Sequence, residues 1–232
     1  MRALLLNAGM YGKIMRTYSK TEGACKRMIA IVDYGAGNLQ SVLNALRFIG
    51  AEAAVCSDAA SILAADGVIL PGVGSFADAM DCMNRSGLVQ AVCDAAMGPR
   101  PFLGICLGLQ LLFEHSEESP GVRGLGLLKG RIVKIPDTGL KVPHMGWNSL
   151  EIQNPSGLFK GIPQNTYAYF VHSYYLDAAD KTEVSAVTHY GACIDAAVTV
   201  GNLFAAQFHP EKSGDLGIQM LRNFAALCKG DV

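Results

Sequence analysis

The chain has 232 residues, of which 50% are hydrophobic and 17% are charged. This composition excludes a disordered chain and favours a large core. The net charge of −1 gives no overall basic field for nucleic acid or an anionic membrane, and no apolar run reaches the roughly 18 residues of a spanning helix. Seven cysteines without a C-x-x-C pair argue against a disulfide framework or a zinc site and favour a reducing cytoplasm.

The first 27 residues differ in charge from the rest of the chain. They carry six Lys or Arg and one acidic residue, a net charge of +5, whereas residues 28–232 carry −6. No apolar stretch in this segment is long enough for a signal peptide, and an Arg-rich transit peptide is the alternative. We expect residues 1–27 to be an extension without function and residues 28–232 to be one domain.

From Met28 onward, strand and helix patterns alternate. The apolar run 29–33 predicts a buried parallel strand that a glycine turn closes. Apolar residues then recur at helical spacing over 39–49, and Gly50 provides a stop. Further strands are predicted at 53–56, 67–70 and 102–105, and further helices from 58, near 76–84, near 87–97 and after 106.

Beyond Gly130 the pattern changes to successive strands. They are predicted at 131–135, 167–171, 184–189, 195–200 and 203–208, before a final amphipathic helix around 216–227. The acidic stretch 114–118 is interpreted as a solvated helix end. Together the elements predict an α/β fold with a mostly parallel central sheet, flanked by helices and extended by an antiparallel addition.

The first turn with a candidate catalytic residue is Gly104-Ile-Cys106-Leu-Gly108. Its spacing is that of a nucleophile elbow, with cysteine in place of serine. Such a strand-to-helix turn is too tight for side chains at Gly104 and Gly108. The helix N-terminus behind Cys106 favours a thiolate, and the N–H of Leu107 can hold an oxyanion. The alternative is a buried structural cysteine between two packing glycines.

The second turn is His209-Pro-Glu211, directly after an apolar strand. Residues i and i+2 of an extended chain point to the same side, so Glu211 can orient one ring nitrogen of His209. The other ring nitrogen can then face the thiol of Cys106. Nucleophile, base and orienting acid would all come from strand ends.

These motifs resemble the class I (triad) glutamine amidotransferases. The resemblance rests on 104–108 with Gln110, on 209–211 and on the Pro71-Gly-Val-Gly74 loop. Three further motifs, 33–38, 143–148 and 170–174, are similar to those of glutaminase subunits that serve a separate cyclase. The resemblance runs from about Met28 to Cys228.

The resemblance implies hydrolysis of glutamine to glutamate and ammonia. Cys106 attacks the side-chain amide, His209 protonates the departing ammonia and then activates water, and Glu211 fixes the His209 tautomer. The oxyanion hole is expected from the amides of Leu107 and of Val73 or Gly74, and the glycines around Val73 would let that peptide turn over as a gate. Substrate binding is expected from Gln110, Tyr169, His172 and Ser173.

The resemblance also implies a partner. Ammonia would pass to a separate (β/α)₈ cyclase subunit of histidine biosynthesis in a heterodimer. The implied interface residues are Asn38, Met145, Trp147, Asn148 and Lys212. Because the chain after its closing helix has no room for a cyclase domain of about 250 residues, we expect the isolated chain to be a poor glutaminase that needs its partner.

Two other functional interpretations stay open at this point. One is another triad glutaminase, such as one serving pyridoxal phosphate synthesis, or a γ-glutamyl hydrolase; the motifs at 33–38 and 144–148 argue against both. The other is an inactive interaction subunit, which the presence of all three triad residues disfavours. No cofactor is expected, and the five histidines show no metal spacing.

Overall fold

The computed structural model describes residues 27–230. The predicted extension, residues 1–27, lies outside the described residues except for Arg27. Within this range twelve strands are present: β1 Ile29–Val32, β2 Ala53–Cys56, β3 Gly67–Gly72, β4 Phe102–Cys106, β5 His115–Ser116, β6 Gly130–Lys134, β7 His144–Ile152, β8 Thr166–His172, β9 Tyr174–Ala178, β10 Val184–His189, β11 Cys193–Val200 and β12 Leu203–Ala206. The same range has six α-helices: α1 Leu39–Phe48, α2 Ala59–Ala64, α3 Phe76–Ser86, α4 Val89–Ala96, α5 Leu107–Leu111 and α6 Gly214–Lys229.

The strands form one mixed sheet. Its parallel part has the order β2-β1-β3-β4-β12, and the antiparallel strands β11, β10, β7 and β8 continue it. Strand β9 branches from β11, β6 pairs with β9, and β5 pairs with β6. The predicted α/β fold, with its parallel core and antiparallel addition, is confirmed.

Hydrophobic residues cover both faces of the sheet. Alternate residues of a strand face opposite sides, and β1 shows this directly. Ala30 and Val32 join one buried cluster, whereas Ile29 and Ile31 join the other. Helix α3 contributes Phe76 to the first cluster. A core on both sides explains why the parallel strands read as continuous apolar runs.

The structure corrects three sequence-based expectations. Strands β5, β7 and β9 were not predicted, and the strand expected at 203–208 ends at Ala206. The acidic stretch is not a solvated helix end. Glu117 accepts a hydrogen bond from the backbone N–H of Lys134 at 2.9 Å, and Glu118 accepts one from that of Phe76 at 2.8 Å. Glu118 therefore satisfies a donor that the first turn of α3 leaves without an intrahelical partner.

Two further observations concern residues 27–230 only. No helix in this range is both long and apolar enough to cross a membrane. Nor does the range contain a cluster of three or more His, Cys, Asp or Glu side chains arranged to hold a metal ion.

Candidate active site

The site lies at the carboxyl edge of three neighbouring parallel strands. Strand β4 is paired with β3 on one side and with β12 on the other. Gly72 of β3 stands opposite Cys106, and Ala206 of β12 stands opposite Ile105. The Gly72–Gly74 loop, the cysteine and the histidine turn after β12 therefore emerge side by side. Open α/β sheets bind ligands at this edge.

Cys106 occupies a strained turn between β4 and α5. Its φ of 56° and ψ of −110° lie outside the regions that non-glycine residues normally adopt. A Cβ on Gly108 would lie 1.9 Å from the carbonyl oxygen of Leu70, and a Cβ on Gly104 would lie 2.9 Å from that of Gly108. Both glycines are thus required by close backbone approach, as expected for a nucleophile elbow.

His209 and Glu211 form a buried pair beside this elbow. Nδ1 of His209 lies 2.8 Å from Oε1 of Glu211, and the two side chains are 3% and 1% exposed. The backbone holds His209 as well, because its N–H donates to the carbonyl of Tyr169 at 3.0 Å and its carbonyl accepts from the Ser213 hydroxyl at 2.6 Å. Sequence reasoning missed Ser213, which fixes this turn.

The second ring nitrogen of His209 is available for chemistry. Among residues 27–230, Nε2 has no hydrogen-bond partner of ordinary geometry although it is buried. Burial alone would lower the pKa of His209, but interaction with the Cys106 sulfur and with Glu211 outweighs it and raises the pKa to about 9. The imidazole therefore carries a proton at neutral pH, with Nδ1 held by Glu211 and Nε2 facing the Cys106 side.

A cavity of about 390 Å³ opens in front of Cys106 and His209. It is lined by Val73, Gly74, Cys106, Leu107, Gln110, Glu118, Pro143, Val171, His172, Ser173, Tyr174 and His209. It brings together the expected nucleophile, the expected base, the expected oxyanion donors and three of the expected substrate-binding residues. It also contains Glu118, which sequence analysis did not connect with the site.

The expected oxyanion loop is exposed. Val73 is 43% exposed, and Gly74 has a φ of 98° with open space where a Cβ would project. A Cβ on the preceding Gly72 would lie 2.9 Å from the Gly108 amide and from the Tyr34 hydroxyl. The loop is thus anchored tightly at Gly72 and exposed at Val73–Gly74.

Gln110 is held by hydrogen bonds on one side of the cavity. Its Nε2 donates to the Tyr174 carbonyl and to Oε1 of Gln207, both at 3.0 Å. Nε2 of Gln207 lies 3.8 Å from the Cys106 sulfur. Sequence analysis did not single out Gln207. The signal was available, because Gln207 precedes His209 by two residues and extended residues two apart share a side.

His172 is engaged through both ring nitrogens. Nδ1 lies 3.0 Å from the Tyr174 carbonyl, and Nε2 lies 3.0 Å from Nδ1 of His144. A carbonyl oxygen only accepts, so His172 carries its proton on Nδ1 and accepts at Nε2 from His144. Burial lowers the pKa of His172 to about 3 and that of His144 to about 4, which keeps both rings neutral. His172 therefore supports the cavity wall without a free nitrogen for substrate.

Tyr169 lies outside the cavity, unlike the other expected substrate-binding residues. It is three residues from His172 on β8, and an odd separation puts two strand residues on opposite faces. Its ring lies 6.2 Å from that of Trp147 and 6.0 Å from the Lys212 ammonium. The structure thus groups Tyr169 with the expected interface residues.

The expected interface residues are not equally accessible to a partner. Met145 and Trp147 are 62% and 55% exposed, although both are large and apolar. Lys212 is exposed and Asn38 is half-buried. The Asn148 side chain is bound within the chain, because its amide donates to the His189 carbonyl at 3.0 Å and lies 3.3 Å from Nε2 of His144.

The chain is similar to known proteins over most of its length. The family model for class-I glutamine amidotransferases matches residues 30–228. Imidazole glycerol phosphate synthase subunit HisH from Moorella thermoacetica is 51% identical over 203 residues, covering 88% of this chain and 96% of its own. The subunit of that name from Methanothermobacter thermautotrophicus is 51% identical over 202 residues, covering 87% of this chain and 100% of its own.

Solved structures show the same fold at lower identity. A structure described as a glutamine amidotransferase has a TM-score of 0.68 at 21% identity, covering 86% of this chain and 98% of its own. A structure of PurLQS from Thermotoga maritima has a TM-score of 0.67 at 22% identity, covering 86% of this chain and 97% of its own. The chain belongs to the class-I glutamine amidotransferases, in the family of imidazole glycerol phosphate synthase subunit HisH.

Proposed function

We propose that residues 28–232 hydrolyse glutamine to glutamate and ammonia through Cys106, His209 and Glu211, and pass the ammonia to a separate cyclase subunit of imidazole glycerol phosphate synthase. The observation that carries the proposal is the strained Cys106 elbow beside the buried His209–Glu211 pair, at one cavity. A nucleophile, a base and an orienting acid at one sheet edge are what amide hydrolysis by acyl transfer requires.

The reaction begins with attack of the Cys106 sulfur on the side-chain amide carbon of glutamine. The oxyanion forms beside α5, where the Leu107 amide and the amide of Val73 or Gly74 stabilise it. His209, protonated at neutral pH because its pKa is about 9, donates its proton to the departing nitrogen. Ammonia leaves, and a γ-glutamyl thioester remains on Cys106.

The second half of the reaction reverses the role of His209. The now neutral imidazole takes a proton from water, which attacks the thioester carbon and releases glutamate. Glu211 accepts a hydrogen bond from Nδ1–H throughout and keeps Nε2 aimed at the reacting atoms. Glu118 supplies a carboxylate in the cavity for the α-ammonium group of the substrate.

The exposed apolar side chains support a partner surface. Met145 and Trp147 stand on β7 next to Tyr169 and Lys212. Aromatic and methionine side chains are enriched in protein interfaces. We assign this surface, with Asn38, to the cyclase subunit in a heterodimer, and we place the reaction in the cytoplasm. Asn148, which is also expected at the interface, uses its side-chain amide for hydrogen bonds within the chain.

The test is ammonia release from glutamine, measured for the full chain alone and with the cyclase subunit and a nucleotide ligand of that subunit. We expect slow release by the chain alone, because we infer that the exposed Val73–Gly74 loop completes the oxyanion hole only when the partner is bound. One missing oxyanion donor costs roughly 10²–10³-fold in rate. Equal rates with and without the partner would refute this dependence, and no release under either condition would refute the glutaminase function.

A further inference from the structure

We propose that Gln207, which lies outside the catalytic triad, is a positioning residue for both halves of the site. Its carbonyl oxygen fixes the orientation of Gln110, and its amide nitrogen donates to the Cys106 sulfur. The inference rests on the proposed glutaminase function and adds a residue that links substrate binding with the nucleophile.

The Tyr174 carbonyl determines how both amides are oriented. A carbonyl oxygen can only accept, so the Gln110 atom 3.0 Å from it is Nε2. The second Nε2 proton of Gln110 then donates to the Gln207 atom 3.0 Å away, which is Oε1. With its oxygen committed to Gln110, Gln207 presents Nε2 to the Cys106 sulfur at 3.8 Å. Each amide thus has one orientation that satisfies its neighbours.

The same reasoning selects the substrate group that Gln110 meets. Both protons of its Nε2 are used, one by Tyr174 and one by Gln207. Gln110 lines the cavity, and Oε1 is the polar atom left for the substrate. Because this oxygen accepts hydrogen bonds, it fits the α-ammonium group of glutamine and not the α-carboxylate.

Burial makes the Gln207 arrangement stiff. The residue is 0% exposed, so its amide cannot exchange its protein partners for water. A hydrogen bond to an ionised acceptor is stronger than one between neutral groups. The N–H of Gln207 therefore stabilises the sulfur most when it carries charge, and the acceptor role of the same amide holds Gln110 in place.

Gln207→Met tests the proposal, because methionine fills a similar volume without an amide. The full chain is compared with Gln207→Met, Gln110→Met and the double variant. Gln153→Met is the control, since Gln153 is exposed and lies outside the site. Thermal melting checks folding, and Gln207→Leu replaces the methionine variant where that variant does not fold. Two quantities are measured: the rate of Cys106 alkylation by iodoacetamide at fixed pH, and KM and kcat for glutamine with the cyclase subunit present.

We expect Gln207→Met to slow Cys106 alkylation at least about tenfold, in both the wild-type and the Gln110→Met background. We expect it to raise KM several-fold in the wild-type background only, because its effect on substrate binding passes through Gln110. Unchanged alkylation, or the same rise in KM in both backgrounds, would overturn the proposal. If the wild type releases no ammonia, the glutaminase function fails instead, and the alkylation rates still test the contact with sulfur.

Discussion

Replacing Glu211 with glutamine changes one atom of a buried pair and tests the catalytic role of that pair. Glu211 lies 2.8 Å from Nδ1 of His209, and both side chains are almost completely buried. Its carboxylate can only accept, so it holds the proton of His209 on Nδ1. When His209 is neutral, a glutamine at this position can also present its NH₂ group, which would move the remaining proton to Nε2 and leave no free ring nitrogen to take a proton from water.

The expected loss follows from the strength of this contact. A hydrogen bond to a charged group contributes about 1.5–3 kcal/mol, which corresponds to roughly 10- to 150-fold in rate. We expect Glu211→Gln to lower kcat by that factor and to change KM for glutamine less than about threefold, because Glu211 does not line the cavity. The assay is ammonia release in the presence of the cyclase subunit.

The surface supplies a matched control for this variant. Glu151 lies 3.1 Å from Nε2 of His189, and both side chains are at least half exposed. Glu151→Gln removes the same kind of pair where water screens it, so activity is expected to stay unchanged. Normal turnover in Glu211→Gln, or an equal loss in both variants, would refute the assignment of Glu211.

A second readout uses the raised pKa of His209. A histidine whose pKa is higher in the folded protein than in the unfolded chain contributes stability below the unfolded value of 6.5 and loses it as pH rises through about 9. The wild type should therefore have a higher melting temperature than Glu211→Gln at pH 6, and the difference between the two melting temperatures should shrink towards pH 9.5. A difference that grows over this range would contradict the electrostatic reasoning.

Three further predictions concern the elbow, the paired histidines and the nucleophile. Gly108→Ala should abolish activity and strongly lower the melting temperature, because the added Cβ would lie 1.9 Å from a backbone oxygen of β3; a stable, active variant would contradict the elbow geometry. The wild type should lose stability as pH falls from about 6.5 to about 4. Over this range His144 and His172 take up protons in the unfolded chain, whereas they stay neutral in the folded protein. His144→Gln should flatten this dependence in thermal melts, and an identical slope would be evidence against the buried pair. A glutamine-like electrophile should abolish ammonia release by labelling Cys106, as peptide mass spectrometry would show, whereas inactivation through the exposed Cys193 would contradict the nucleophile assignment.

The sequence predicted the parallel half of the fold well, because buried parallel strands appear as continuous apolar runs between glycine turns. The antiparallel part was harder to predict. Strand β7 begins at His144 and contains Gly146 and Asn148, residues without a strong preference for strands. Pairing with β8 over seven residues holds this segment extended. The residues of one segment do not indicate which strand it will pair with.

Some residues of the site could likewise be predicted from the sequence, and others could not. Cys106, His209 and Glu211 follow from local spacing, because the elbow and the turn each impose a recognisable pattern. Gln207 and Glu118 depend on contacts across distant segments: Gln207 meets Gln110, 97 residues away, and Glu118 meets α3, 42 residues away. Such contacts appear only when the sheet brings those segments together.

The central claim is that Cys106 performs the hydrolysis of glutamine, and one measurement tests it most directly. The rate of ammonia release is compared between the wild-type chain and Cys106→Ala, each with the cyclase subunit and its ligand at saturating glutamine. We expect the variant to lose activity by roughly a thousandfold or more while it still binds glutamine. Ammonia release within tenfold of the wild-type rate would contradict a mechanism in which the Cys106 sulfur attacks the amide.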